Sequence, residues 1–217
     1  MKFIFISFFS FFFLFSLKGN AQEYDDTLFS YSRNSFELKA GTGFGWYAMK
    51  NNDPDNNASI AVTGLLQLEG SYYLSRKFNA GIMFERVGFL TNKDSTQKQA
   101  NTFNMGLSLK YFLKAKEKSS IFLNLTLGTS SFKYKENSTS LKVSASSYFL
   151  EPGIGFIHYW SKNTGIYIVS SYYFTKYSKI VNKDNSPLTV INNNGGKENY
   201  WISMSGIHFN IGFVYKF

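Results

Sequence analysis

The chain contains no cysteine, which removes a disulfide framework, a thiolate metal site and a lipid-anchored N-terminus together. Prolines number three and histidines two in 217 residues, so helix-breaking punctuation and imidazole chemistry are both scarce. Beyond Ala21 no run of 18 apolar residues occurs, which excludes a helical membrane span. Aromatic residues, by contrast, make up 19% of the chain. Together with abundant Gly, Ser and Asn they describe a β-rich protein.

The N-terminus reads as an export signal. Lys2 supplies a positive start, Phe3 to Leu17 form an apolar run broken only by serines, and Gly19-Asn20-Ala21 offer small residues before a cut ahead of Gln22. The 15-residue apolar run is shorter than the ~20 residues a spanning helix needs. Residues 1–21 are therefore expected to be a cleaved signal peptide, 22–34 a periplasmic tail and 35–217 a single domain. Eight of the 24 phenylalanines lie in the leader, leaving 16 with 15 tyrosines and three tryptophans. Lys2 and Lys18 leave with it, and the formal charge falls from +9 to +7. Export and the scatter of lysines over turns and loops argue against nucleic acid as a partner. Anionic membrane lipid or surface glycolipid suits such a distribution better.

Period-two alternation recurs along the mature chain. At the C-terminus Trp201, Ile207, Phe209, Ile211, Phe213, Tyr215 and Phe217 share one face, and Met204, Gly206, His208, Asn210, Gly212, Val214 and Lys216 the other. Similar segments run over Ser35 to Met49, Ala58 to Ser75, Phe78 to Leu90, Asn101 to Leu113, Ser119 to Tyr134 and Leu141 to Trp160. Met83 and Val87 blur the third, and Gly165 to Tyr177 is too uniformly aromatic to assign its faces. That makes eight strands. The connections at Ser75 to Phe78, Lys114 to Ser119 and Ser161 to Thr164 are short. Those at Lys50 to Asn57, Thr91 to Ala100, Lys135 to Ser140 and Ile180 to Asn199 are mostly longer and polar. Short turns at one rim and longer loops at the other describe an all-β, eight-stranded antiparallel up-and-down transmembrane β-barrel.

Face chemistry separates this from a soluble lipocalin-like barrel, which would hide its apolar set. Here the bulky aliphatic face is the majority one, and exposing it to water would cause aggregation. The minority face holds Gly41, Gly43, Gly45, Gly81, Gly106, Gly153, Gly155, Gly206 and Gly212, small enough for a narrow lumen. Aromatic residues near strand ends are expected to form interfacial girdles: Trp46, Tyr72, Trp160 and Trp201, with Tyr47, Tyr73, Tyr111, Tyr159, Tyr200 and Tyr215.

With its leader, eight strands and closing run Phe209 to Phe217, the sequence resembles the outer membrane protein β-barrel family, OmpA/OmpX-like in size. The Phe-, Asn- and Lys-rich composition and the Ala-Gln junction are similar to members from Bacteroidota. The resemblance implies residence in the cell outer membrane after signal-peptide cleavage. It also implies that the last strand, with Phe209, Ile211, Phe213, Tyr215 and Phe217 on one face, is recognised by the outer-membrane assembly machinery.

Glu37, Lys39, Glu69, Glu85, Lys110, Glu151 and His208 fall on the minority face. Charges in a small lumen must pair or stay hydrated, so a salt-bridged plug is expected, with a gated conduit as the alternative. A serine hydrolase needs a base beside its nucleophile. His158 lies near a short turn, His208 is mid-strand, and neither stands in the His-x-Ser arrangement of lipid A deacylases. No catalytic residue, cofactor or metal site is therefore expected. Gly41-Thr-Gly-Phe-Gly lacks the helix start of a phosphate-binding loop. In the longest loop, Leu188, Val190 and Ile191 either extend a hairpin or meet a partner. The expected function is non-enzymatic, structural or surface-binding through extracellular loops with an unspecified ligand. The alternatives are a minor small-solute channel, a lipid-A-modifying enzyme and a lipocalin-like carrier.

Overall fold

The structure, a computed structural model, describes residues 35–54, 58–90, 98–115, 118–136, 141–191 and 195–217. The expected signal peptide and periplasmic tail lie outside them, as do parts of the long connections. Seven strands follow in order: β1 (Phe36–Asn51), β2 (Ala58–Tyr73), β3 (Phe78–Leu90), β4 (Lys98–Ala115), β5 (Ser119–Glu136), β6 (Leu141–Tyr159) and β7 (Thr164–Tyr177). Three short strands, β8 (Val181–Asn182), β9 (Thr189–Ile191) and β10 (Lys197–Asn199), precede the last long one, β11 (Ile202–Lys216).

Each long strand pairs antiparallel with its neighbour in sequence, and β1 closes the ring against β11. An eight-stranded, closed, up-and-down barrel results, so every long strand has two partners and the sheet keeps no free edge. The alternation dictates the placement of side chains. Leu38, Phe44, Leu66, Phe84, Leu107, Leu125, Ile154, Ile168 and Ile211 all stand exposed on the outer wall. Glu37, Lys39, Glu85, Lys110 and His208 are buried inside. A lipocalin-like carrier has the reverse arrangement, and that alternative is excluded.

β7, whose faces could not be separated in the sequence, points Tyr167, Ser171, Tyr173, Thr175 and Tyr177 inward and Ile168, Tyr172 and Phe174 outward. Met83 and Val87 are buried in the lumen. The interior is thus layered rather than uniformly polar. A loop-side apolar layer gathers Tyr47, Leu65, Met83, Val87, Phe132, Phe149, Tyr173, Tyr177 and Met204. A smaller one at the short-turn end holds Tyr73, Phe112, Phe122, Ile157, Tyr159, Tyr167 and Val214.

Three expected girdle residues are corrected here: Tyr47, Tyr73 and Tyr159 are buried in the lumen. Each adjoins an outward aromatic, Trp46, Tyr72 or Trp160, and consecutive residues of a strand cannot share a face. Trp46 and the half-buried Trp201 lie toward the loop rim, Tyr72 and Trp160 toward the other. The Lys176 Nζ sits 4.7 Å from the centre of the Trp201 ring. The strand-end set Phe209, Ile211, Phe213, Tyr215 and Phe217 faces outward throughout.

Pro152 stands within β6, where it lacks an N–H to donate. The β6–β7 ladder accordingly breaks between Leu150–Phe174 and Gly153–Ser171, beside the inward Glu151. In the longest loop, β9 and β10 pair as a hairpin extension, one of the two expected arrangements, and β8 docks on β6. Ile180 is fully buried in the loop-side apolar layer, with Leu188 packed against it.

Candidate functional site

The alternation that carries the fold also brings the seven expected lumen charges together, in two groups. At the short-turn side, Glu37 and Lys39 come from β1, Glu69 from β2 and Lys110 from β4. The Lys39 Nζ lies 3.1 Å from Glu37 Oε1, and the Lys110 Nζ 3.6 Å from the same atom. Lys110 also pairs with Glu69. The other Glu37 oxygen, Oε2, accepts the hydroxyls of Tyr73 at 2.6 Å and Tyr159 at 2.7 Å. The Lys39 Nζ lies 4.8 Å from the Phe122 ring centre and 5.3 Å from that of Tyr167. Buried charges are tolerated where ion pairs, hydrogen bonds and aromatic faces replace water.

The second group stands nearer the loops. The His208 Nδ1 of β11 lies 3.0 Å from Glu151 Oε1 and 3.8 Å from Glu85 Oε2. Its Nε2 meets the Tyr47 hydroxyl. Ser171 donates to Glu151 at 2.5 Å and Asn104 to Glu85 at 2.8 Å. Ser130 then donates to Asn104 at 2.5 Å and contacts the Tyr177 hydroxyl at 2.6 Å, while Tyr173 donates to Ser130 at 3.0 Å. Hydroxyls and amides of four strands thus converge on two carboxylates and one imidazole.

Between the groups the free space is about 10 Å³, bordered by Lys39, Glu69, Glu85, Lys110, Glu151 and His208, roughly the room for one water molecule. Glu85, Glu151 and His208 offer ligand atoms within 4.8 Å of one another, a grouping the sequence could not reveal because the three come from distant strands. Hydrogen bonds from Ser171, Asn104 and Tyr47 already hold these groups, as they would in a salt-bridged plug. Two carboxylates and an imidazole are also a donor set for a divalent cation.

His158 has no His-x-Ser arrangement in sequence, but the fold brings a serine to it from the neighbouring strand. Its Nδ1 lies 2.8 Å from the Ser119 Oγ, because the register places these residues opposite one another at the short-turn rim. The imidazole stacks near Phe156, with ring centres 6.5 Å apart. Among the described residues no carboxylate orients this imidazole, so the third member of a hydrolytic arrangement is not assembled there.

The loop-side rim carries the other chemistry. Lys133, Lys135, Lys142 and Lys183, with Gln99 and Asn101, line a cleft of about 300 Å³ on the outside of the barrel wall. In the β8 turn, Ser186 donates to Asp184 Oδ1 through its hydroxyl at 2.7 Å and its amide at 3.2 Å. These hydrogen bonds hold the Asp184 carboxyl below its ordinary pKa.

No family model matches the chain, and no curated protein matches it in sequence. In structure it is similar to the outer membrane protein OprG from Pseudomonas aeruginosa. The TM-score is 0.53 at 14% identity, over 88% of this chain and 99% of that one. Two further similar structures are the outer membrane protein AlkL and Neisserial surface protein A. AlkL aligns with a TM-score of 0.49 and 13% identity, over 91% of this chain and 94% of that one. Neisserial surface protein A aligns at 0.48 and 10%, over 84% and 97%. The likeness to OprG shows the fold, that of an outer membrane β-barrel.

Proposed function

We propose that the chain is a non-conducting, non-enzymatic barrel of the outer membrane whose loop-side rim is its working surface. One observation carries this reading: the lumen is filled, with charge pairs in the middle and apolar layers at either end. Groups that could line a conduit or perform acid–base chemistry are engaged with one another instead. A solute would have to break buried ion pairs to pass, each costing several kcal/mol (~3–5). The aliphatic outer wall supports residence in a bilayer. The outward aromatic face of β11, with Phe209, Phe213 and Tyr215, supports recognition by assembly machinery.

Two measurements test the reading. Protein isolated from outer membranes should run faster on a gel before boiling than after, as a closed barrel does, and should give no stepwise current in a planar bilayer. Reproducible unitary currents would favour the minor-channel alternative. Recovery of the protein in the soluble periplasmic fraction would overturn the membrane assignment.

A further inference from the structure

Up the outer wall along β5 and β6, the cross-strand pairs change character in order. Leu127 stands opposite Leu150, then Thr129 opposite Tyr148. Tyr148 is 81% exposed, and an amphipathic ring in that position marks the membrane–water boundary. Higher still, Lys135 stands directly opposite Lys142, with Lys133 one outward position below on β5. At ~3.4 Å per residue and the usual strand tilt, Lys133 rises about 10 Å, and the Lys135–Lys142 pair about 15 Å, above Tyr148.

Two lysines directly opposite on one face of a sheet oppose its pairing. A fourth, Lys183, reaches the same cleft because β8 docks on β6 through Val143–Asn182 and Ser144–Val181. No carboxylate lines the cleft, and among the described residues none of the four lysines forms an ion pair. The repulsion is therefore left for an anion from outside to relieve. A phospholipid headgroup layer is only ~5–8 Å deep on each side, so its phosphates would lie below the lysine pair. A headgroup built of several phosphorylated sugars reaches higher.

We propose that this cleft binds the phosphate groups of a surface glycolipid, gripping its sugar–phosphate headgroup against the outer wall. The proposal deepens the surface-binding reading above and depends on it for the height of the lysines over the membrane. Ammonium groups of Lys133, Lys135, Lys142 and Lys183 donate to phosphate oxygens, while Gln99 and Asn101 offer amides to the sugars.

The test uses the full barrel purified from outer membranes and placed in phosphatidylcholine nanodiscs. Binding of a bisphosphorylated lipid A carrying its inner sugars is compared with binding of the same glycolipid after phosphatase treatment. The phosphorylated form should bind and the treated form should not. Replacing all four lysines with glutamine should weaken binding on the order of a thousandfold, whereas Lys50→Gln with Lys179→Gln, at the same rim, should leave it unchanged. Lys142→Glu is the second variant: it turns a like-charged pair into an opposite pair, so it should raise resistance to unfolding while lowering glycolipid binding. Inorganic pyrophosphate should compete only at much higher concentration than the glycolipid. Equal binding of the treated glycolipid, or equal loss in the Lys50 and Lys179 control, would overturn the proposal. Pyrophosphate binding as tight as glycolipid binding would overturn the lipid as the source and leave a soluble phosphate compound. Gel mobility of each unboiled variant reports the closed barrel independently, so loss of the barrel reading is distinguishable from loss of the cleft.

Discussion

His208 on β11 and Glu151 on β6 meet 3.0 Å apart inside the barrel, and Ser171 of the intervening strand β7 donates to the same Glu151 oxygen. The two residues are 57 positions apart in sequence, and the register of β6 on β7 and of β7 on β11 brings them together. Glu85 approaches the same ring nitrogen, Nδ1, at 3.8 Å. Replacing His208 by Phe keeps an aromatic ring of similar size but leaves two buried carboxylates facing each other. The expected loss is ~3–5 kcal/mol, measured as the urea midpoint of the refolded barrel by tryptophan fluorescence. Adding Glu151→Gln to that variant should recover part of the loss. A midpoint unchanged by His208→Phe would show that the imidazole plays no part in holding the plug.

Gly155 shows a different constraint. A Cβ there would lie 2.2 Å from the Phe122 Cζ and 2.7 Å from two further atoms of the same ring. The ring belongs to the short-turn apolar layer and lies beneath the Lys39 ammonium. Gly155→Ala should therefore push Phe122 off its position and cost ~1–3 kcal/mol. Combining it with Phe122→Leu should restore part of that stability. Thermal loss of the fast-running gel band is a convenient readout.

The outer wall predicts a sign as well as a size. Leu109 is exposed on β4 in the middle of the aliphatic belt. In a bilayer, Leu109→Arg should destabilise the barrel by ~2–4 kcal/mol. On a water-facing wall the same change would be neutral or favourable. Reversible unfolding in lipid vesicles measures the difference directly.

The β8 turn provides a pH dependence. Hydrogen bonds from Ser186 hold the Asp184 carboxyl below its ordinary pKa, so the turn is stabilised by the ionised form. That contribution is fully present above the ordinary carboxyl value and disappears as pH falls through the lowered one. Asn185 takes a left-handed conformation in this turn, with φ of 64°, which asparagine tolerates better than most residues. Proteolytic nicking between residues 182 and 186 should stay constant from neutral pH to about pH 5, increase as pH falls from the ordinary carboxyl value through the lowered one, and level off below it. Asp184→Asn should nick at a rate independent of pH over that range.

The sequence by itself determined the barrel and the facing of most of its residues. A period of two admits one assignment of faces per strand, and bulky aliphatic sets such as Phe103, Met105, Leu107 and Leu109 could not all fit a narrow lumen. For that reason Glu37, Lys39, Glu69, Glu85, Lys110, Glu151 and His208 were legible as inward positions before any partner was known. Where both faces are aromatic, as in β7, period alone cannot choose, and Tyr47, Tyr73 and Tyr159 were misread because their neighbours are aromatic too. Only the tertiary structure decided which charges pair, since pairing depends on the register between strands and on closure of β1 against β11. Closure sets Tyr159 against Glu37, 122 residues away. Register likewise sets Lys135 opposite Lys142, a juxtaposition of like charges that local sequence does not reveal because a loop separates them.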